Sequence, residues 1–344
     1  MRHLPVAALA LISTVLPGLT GPGLTGAALA EEVNIYSHRQ PELIQPLIDA
    51  FTKETGIEVN VAFVDKGMAE RLVAEGNRSP ADLILTVDIA RLMEVVKAGV
   101  TQEIDSPVLE ANIPAGFRDP GKHWFGLTSR ARVVYVSNER IKPGDVTTYE
   151  DLADPKWKGR ICTRPFTSDY NVALTAAVLA HHDAAYTKTW LEGIKANLAK
   201  KPTGVDRDQV KAIWSGECDI ALGNTYYLGQ MLNDDEDKQY AEAVHIAFPV
   251  FEGGGTHMNI SGIAMTKAAP NHAAALKLME WLSSEEAQHI YAETNYEFPV
   301  EPGVERSALV KSWGEFTPDN LTLAEVAEQR PEALKLIEEV DVDN

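Results

Sequence analysis

The chain has 344 residues, with 31 basic against 50 acidic side chains, a net charge of −19 and only two cysteines. That acidity weighs against nucleic acid and anionic membrane as partners and suits the capture of a cation. Downstream of Ala30 no window offers about 18 uncharged apolar residues, so no membrane span is expected in the mature protein.

The first thirty residues open Met1-Arg2-His3, run apolar from Leu4 to Leu16, and end at Ala28-Leu29-Ala30 before Glu31-Glu32. Pro17, Gly18, Gly21 and Pro22 break the apolar run, so residues 1–30 read as a secretory signal peptide rather than an anchor. Its removal takes Arg2 and no acid, leaving 30 basic against 50 acidic residues, a net charge of −20 on 314 residues. That length suffices for two lobes with separate cores. In an exported protein the even pair Cys162 and Cys218 predicts a disulfide, two buried thiols being the alternative. Each cysteine lies eight residues before a tyrosine, Tyr170 and Tyr226, so a bridge would hold both tyrosine-bearing segments in one neighbourhood.

From Val33 the pattern alternates strand and helix. Val33–Tyr36 reads as a strand, Leu43 to Phe51 recur at helical spacing, and Ile57, Val59, Val61 and Phe63 alternate as a second strand. Pro46 removes an N–H from the early helix, which is expected to become regular only after it. A helix over 68–74, a strand over 83–85 and a helix over 89–97 complete an α/β lobe. Arg132–Val136 is a strand candidate. The pattern then restarts with a strand over 160–163, helices around Leu174, Trp190 and Ile213, a strand over 218–222, and a strand over 245–248. A strand over 260–265 and helices over 273–282 and 285–292 read as a return to the first lobe. Over 322–340 two short helices are expected around Pro331. The division is 1–30 signal peptide, 31–130 with 250–300 as the first lobe, 131–249 as the second, and 301–344 a helical segment assigned to neither.

The fold class is α/β, a two-lobed clamshell with hinge strands between the lobes and a ligand in the cleft. Gly-x-Ser-x-Gly, His-Glu-x-x-His, a phosphate-binding loop ending in Lys-Ser/Thr and a dinucleotide fingerprint are all missing. His181-His182 reads as a polar helix end, and Gly253-Gly254-Gly255 as a hinge or turn. No catalytic residue stands out, and the chain is expected not to be an enzyme.

The remaining candidates are oxygen donors and cations: Tyr170, Tyr226 and Tyr227, with His38, Arg39, Arg130 and Arg132 at strand ends. Three phenolates would neutralise a hard trivalent cation, and an arginine could hold an accompanying anion bidentately. Core tyrosines and surface arginines are the competing reading of the same residues.

At these residues the chain resembles the periplasmic ferric-iron-binding proteins of ABC importers, and the resemblance runs over nearly all of the mature sequence. Its pieces are Asn34-Ile-Tyr-Ser-His-Arg-Gln-Pro41, Ser79-Pro-Ala-Asp82, Arg130-Ala-Arg132, Trp157-Lys-Gly-Arg160, Tyr170-Asn171, Asn224-Thr-Tyr-Tyr227 and Gly255-Thr-His-Met-Asn-Ile-Ser-Gly262. Asn224-Thr-Tyr-Tyr227 with the distant Tyr170-Asn171 is the specific part. The resemblance implies a type II binding-protein fold and Fe³⁺ carried as cargo on Tyr170, Tyr226 and Tyr227. It further implies Arg39 and Arg130 on a carbonate or similar synergistic anion. Similar proteins carry Tyr where this chain has His38, or a His-Tyr pair where it has Gln40 and Pro41, so His38 is either an imidazole ligand or a hydrogen-bond partner of the anion. The implied protein is a periplasmic monomer that passes ferric iron to an inner-membrane permease with its ATPase. A receptor for another anion or small organic solute is the alternative, and a hinge-bending hydrolase or transferase the alternative from another class.

Overall fold

A computed structural model describes residues 31–344, and the expected signal peptide lies outside them. The elements run β1 (Glu32–Ser37), α1 (Pro41–Thr55), β2 (Glu58–Phe63), α2 (Met68–Glu75), β3 (Leu83–Thr86), α3 (Ile89–Lys97), α4 (Pro107–Asn112) and the long β4 (Phe125–Ser137). They continue with β5 (Ile161–Cys162), α5 (Asp169–His181), α6 (Ala184–Asn197), α7 (Asp206–Trp214), β6 (Ile220–Asn224), α8 (Thr225–Leu232), α9 (Lys238–Ala241) and β7 (Val244–Ala247). The chain closes with β8 (Met258–Met265), α10 (His272–Leu282), α11 (Glu285–Thr294), β9 (Phe298–Pro299), α12 (Ala308–Ser312), α13 (Leu323–Glu328) and α14 (Arg330–Val340).

Two sheets share β4. β1 pairs in parallel with β2 and β3, and β3 runs antiparallel to β8. β8 in turn pairs with β4 from Phe125 to Ala131. From Arg132 onward β4 pairs instead with β6 and β7, and β5 joins β6 in parallel. One continuous strand therefore passes from one lobe to the other, and its partners change between Ala131 and Arg132. The α/β, two-lobed fold expected from the sequence is the one observed. Among the described residues no helix is long and apolar enough to cross a membrane.

Each sheet has its own apolar packing. Leu47, Phe51, Leu85, Leu127, Met265 and Leu278 lie together on the first, and Val134, Trp157, Val172, Trp190, Leu222 and Leu336 on the second. α13 packs against both α3 and α5, while α14 packs against α5 and α6, so the tail seals the two lobes on one side.

Three local expectations are corrected. α1 is helical from Pro41, because Pro41 occupies the first turn, where its missing N–H costs nothing, and buried Leu43, Ile44 and Leu47 hold the segment around Pro46. β4 extends eight residues beyond either side of expectation taken together, from Phe125 to Ser137, because its polar Thr128, Ser129 and Arg130 are all buried in the site rather than solvated. β6 starts at Ile220, leaving Cys218 in the preceding turn. β2 is a strand as expected, yet it is an edge whose Val61 and Phe63 are exposed.

Candidate metal and anion site in the cleft

The two tyrosine-bearing segments both open helices. Tyr170 is in the first turn of α5, and Tyr226 and Tyr227 are in the first turn of α8, which follows β6 without a loop. The expected bridge between Cys162 and Cys218 is formed, with Cα atoms 5.8 Å apart. It ties the strand leading to Tyr170 to the turn leading to Tyr226.

A second device sets their register. Arg132, almost fully buried, donates from Nη1 to Asp206 at 2.7 Å and to Asn224 Oδ1 at 3.1 Å, and from Nη2 to Asn171 Oδ1 at 2.7 Å. Asn171 follows Tyr170 directly and Asn224 closes β6 ahead of Tyr226, so one guanidinium fixes both helix starts. The backbone N–H of Asn224 also donates to Asp206 at 3.0 Å. Asn224 occupies the N-cap position of α8, but its side chain is spent on Arg132 rather than on the helix.

The phenols meet. Tyr170 Oη lies 3.2 Å from Tyr226 Oη, and the rings of Tyr226 and Tyr227 stand 4.2 Å apart. Tyr226 and Tyr227 are 2% and 4% exposed and Tyr170 is half-buried. Burial, reinforced by the neighbouring phenols, pushes Tyr226 well above the ordinary phenol range, and burial with the charges of Tyr170 and Asp206 does the same for Tyr227. Gly229 lets this helix approach the return segment: a Cβ there would sit 2.5 Å from the Tyr296 ring.

All three tyrosines line a cavity of about 160 Å³ together with His38, Arg39, Gln40, Arg91, Arg130 and Arg164. Of the candidates named from the sequence, the three tyrosines, His38, Arg39 and Arg130 line one cleft with walls from both sheets, whereas Arg132 does not line it and is bonded to Asp206, Asn171 and Asn224. His38, half-buried, approaches Arg91 Nη1 with its Nε2 at 3.3 Å, and its Nδ1 has no partner among the described residues. Burial, and then the charge of Arg91, pulls its pKa down to about 4, so the imidazole is neutral near pH 7.

The two arginines expected to hold an anion already share a carboxylate. Arg39 donates to Ser261 Oγ at 2.8 Å and to both oxygens of Glu297, and Arg130 donates to Ser261 Oγ at 2.7 Å and to Glu297 Oε1 at 3.3 Å. Thr128 Oγ1 donates to the same Oε1 at 3.1 Å. Glu297 is completely buried. Arg130 keeps its Nε unpartnered among the described residues while lining the cavity.

Arg91, Asp169, Arg330, Asp206, Arg164 and Glu297 take part without having been singled out in the sequence. Arg91 of α3 meets Asp169 of α5 at 2.6 Å across the cleft, and Asp169 also receives Arg330 at 2.8 Å. Asp206 receives Arg132 and Arg164, and Glu297 has the role just described. Asp169 adjoins Tyr170, which was a usable signal; Arg91, Asp206 and Glu297 lie in an amphipathic helix, a helix start and an ordinary strand approach, where nothing marks them. Among the described residues no group of three or more His, Cys, Asp or Glu side chains is placed to hold a metal.

A cleft between two α/β lobes, lined by phenols from one lobe and guanidiniums from both, is the form of a solute-binding protein. The bacterial extracellular solute-binding protein family model matches residues 37–289, and the chain belongs to that family. It is 42% identical over 315 residues to iron uptake protein A1 of Synechocystis, covering 90% of this chain and 87% of that protein. It superposes on the apo ferric ion-binding protein A of Pasteurella haemolytica with a TM-score of 0.89 at 53% identity, over 92% of this chain and 99% of that one. A Trichodesmium protein solved with iron and citrate gives 0.82 at 40% identity, over 90% and 99%. These relatives are binding and uptake proteins, as expected for a chain without catalytic motifs.

Proposed function

We propose that the protein captures Fe³⁺ in the cleft through the phenolates of Tyr170, Tyr226 and Tyr227, with a synergistic anion, and hands it to an ABC importer from the periplasm. The observation that carries this reading is the convergence of three phenol oxygens from two helix starts, 56 residues apart in sequence, on one small cavity. Buried phenols without a metal have no reason to be gathered, since each hydroxyl wants a partner that a leucine would not need. Three phenolates balance the metal's charge, and a strongly charged cation favours their ionised form in spite of burial. His38 presents an unprotonated nitrogen to the same cavity and is a candidate fourth donor from the opposite wall. The lobes are taken as 31–130 with 250–300, and 131–249, following the change of partners along β4.

Protein purified without chelator and then titrated with Fe³⁺ tests the reading. Expected are one iron per chain by metal analysis and a visible tyrosinate-to-iron absorption band, both lost or strongly reduced in Tyr226→Phe and Tyr227→Phe. A receptor for an organic solute or an anion alone would show no such band, and that result overturns the assignment.

A further inference from the structure

We propose that a cavity beside the hinge is a second ligand site, one that takes a small apolar monocarboxylate. The cavity has a volume of about 420 Å³ and shares no lining residue with the tyrosine cleft. Three parts of the chain wall it: the segment before β4, the start of β8, and the tail that leads into α13. The start of β8 sits at the hinge, because Met258 pairs with Ala131 and the His257 carbonyl accepts from the Arg132 N–H at 3.0 Å, where β4 changes partners. α13 in turn packs on both α3 and α5.

The walls combine an apolar body with one open cation. Phe117, Trp124, Met258, Leu321, Leu323 and Val326 line the cavity, and so does Arg118. Arg118 Nη1 donates to the carbonyls of Glu110 and Ile113 at 2.5 and 2.7 Å, at the C-terminal end of α4, which holds the guanidinium in place. That role uses one nitrogen of three. Nε and Nη2 have no protein partner among the described residues, and both keep accessible surface. They form one edge of the guanidinium, the fork that a carboxylate fits bidentately. Asp319, the one carboxylate lining the cavity, has both oxygens engaged by His181 Nε2 at 3.0 and 2.9 Å and Oδ1 also by the Gly255 N–H at 3.1 Å, so it is not the partner of Arg118. His257, whose pKa burial pulls down to about 4, is neutral near pH 7. A neutral apolar molecule leaves the fork unused and a cation is repelled by it, whereas a monocarboxylate matches both the fork and the apolar wall. The volume falls in the range of about 300–1,000 Å³ usual for small-ligand pockets.

Isothermal titration of the metal-free protein with octanoate tests the site. One octanoate should bind per chain with a Kd of about 1 mM or below, as expected for about ten heavy atoms. Octylammonium, with the same chain and the opposite charge, should bind at least about fivefold more weakly. Arg118→Gln keeps an N–H donor for the α4 carbonyls but removes the charge and the fork, and octanoate affinity should fall at least about fivefold. Ala324→Trp, at an exposed position of α13 that lines the cavity, should obstruct it and lower the affinity by a similar factor. Absence of saturable octanoate binding, a smaller margin over octylammonium, or a smaller fall in Arg118→Gln overturns the proposal. If Arg118→Gln does not fold, Ala324→Trp decides: a smaller fall there places octanoate elsewhere on the protein, the tyrosine cleft included, and overturns the proposal too. The test uses neither iron nor the tyrosines, so its failure is distinct from a failure of the iron reading.

Discussion

Iron capture by buried phenols must release protons, and their number counts the ligands. A phenol ordinarily titrates near 10, and burial raises Tyr226 and Tyr227 further, so the metal-free site is protonated at pH 7. His38, held down to about 4, is already neutral and contributes no proton if it ligates. Three phenolates formed on loading therefore release about three protons per iron, and the bound state, having fewer protons, gains on the free state as pH rises. The apparent affinity for Fe³⁺ should increase about thousandfold per pH unit below the phenol range. The assay is a pH-stat titration of metal-free protein in formate with a ferric chelate, corrected by a protein-free blank. Replacing any one of the three tyrosines by phenylalanine should lower the count by one, and His38→Ala should leave it at three. Loss of the Tyr226 hydroxyl removes one hydrogen bond, about 1 kcal/mol, so the metal-free variant should melt within about 4 °C of the parent. A wild-type release of one proton or none, or an unchanged count in Tyr226→Phe or Tyr227→Phe, would refute the triad.

Alkylation before and after reduction should find no free thiol in the native protein and two after reduction. Loss of the Cys162–Cys218 bridge, which closes 56 residues, should destabilise by at most about 4 kcal/mol. Small-angle scattering should show a smaller radius of gyration with Fe³⁺ than without; an unchanged profile at saturation would rule out lobe rotation. Arg91→Ala removes a partly exposed ion pair across the cleft, and iron should leave that variant several-fold faster, in keeping with about 1 kcal/mol. Arg132→Met leaves Asp206 buried beside Arg164 alone, so a loss of about 3 kcal/mol or more in stability is expected from chemical denaturation, together with weaker iron binding.

The lobes were legible because helical and strand periods alternate cleanly over long stretches, and α3 was placed residue for residue. The tyrosines were legible because Tyr226-Tyr227 directly follows a strand and Tyr170 stands at a matched distance from the other cysteine. β4 was foreshortened because its first half carries the polar Thr128, Ser129 and Arg130, which break the apolar run and find their partners only in the fold, at Glu297, Ser261 and Pro299. The same cause hid Glu297: a carboxylate is recognisable as a counter-ion only when the guanidiniums 258 and 167 residues away are seen beside it. Charge pairing over such separations leaves no periodicity to read.

The distribution of donors between the walls bears on how cargo is released. Tyr170, Tyr226 and Tyr227 all belong to helices that spring from the second sheet, and their register is fixed within that lobe by the Arg132, Asp206, Asn171 and Asn224 network and by the disulfide. Opening the cleft separates them from His38 and Arg39, yet it breaks none of those bonds. On the proposed reading, the phenolate triad exists before closure and survives opening, and closure adds water exclusion, the His38 wall and the anion subsite. The Arg91–Asp169–Arg330 bridge spans the cleft just beside Tyr170, so the group that latches the lobes adjoins a ligand without itself being one. A transporter that prises the lobes apart would then meet iron still held by three oxygens but newly open to water and protons. Because burial raises the pKa at which Tyr226 and Tyr227 regain their protons, protonation from the opened side favours release in the same steps that loading reversed.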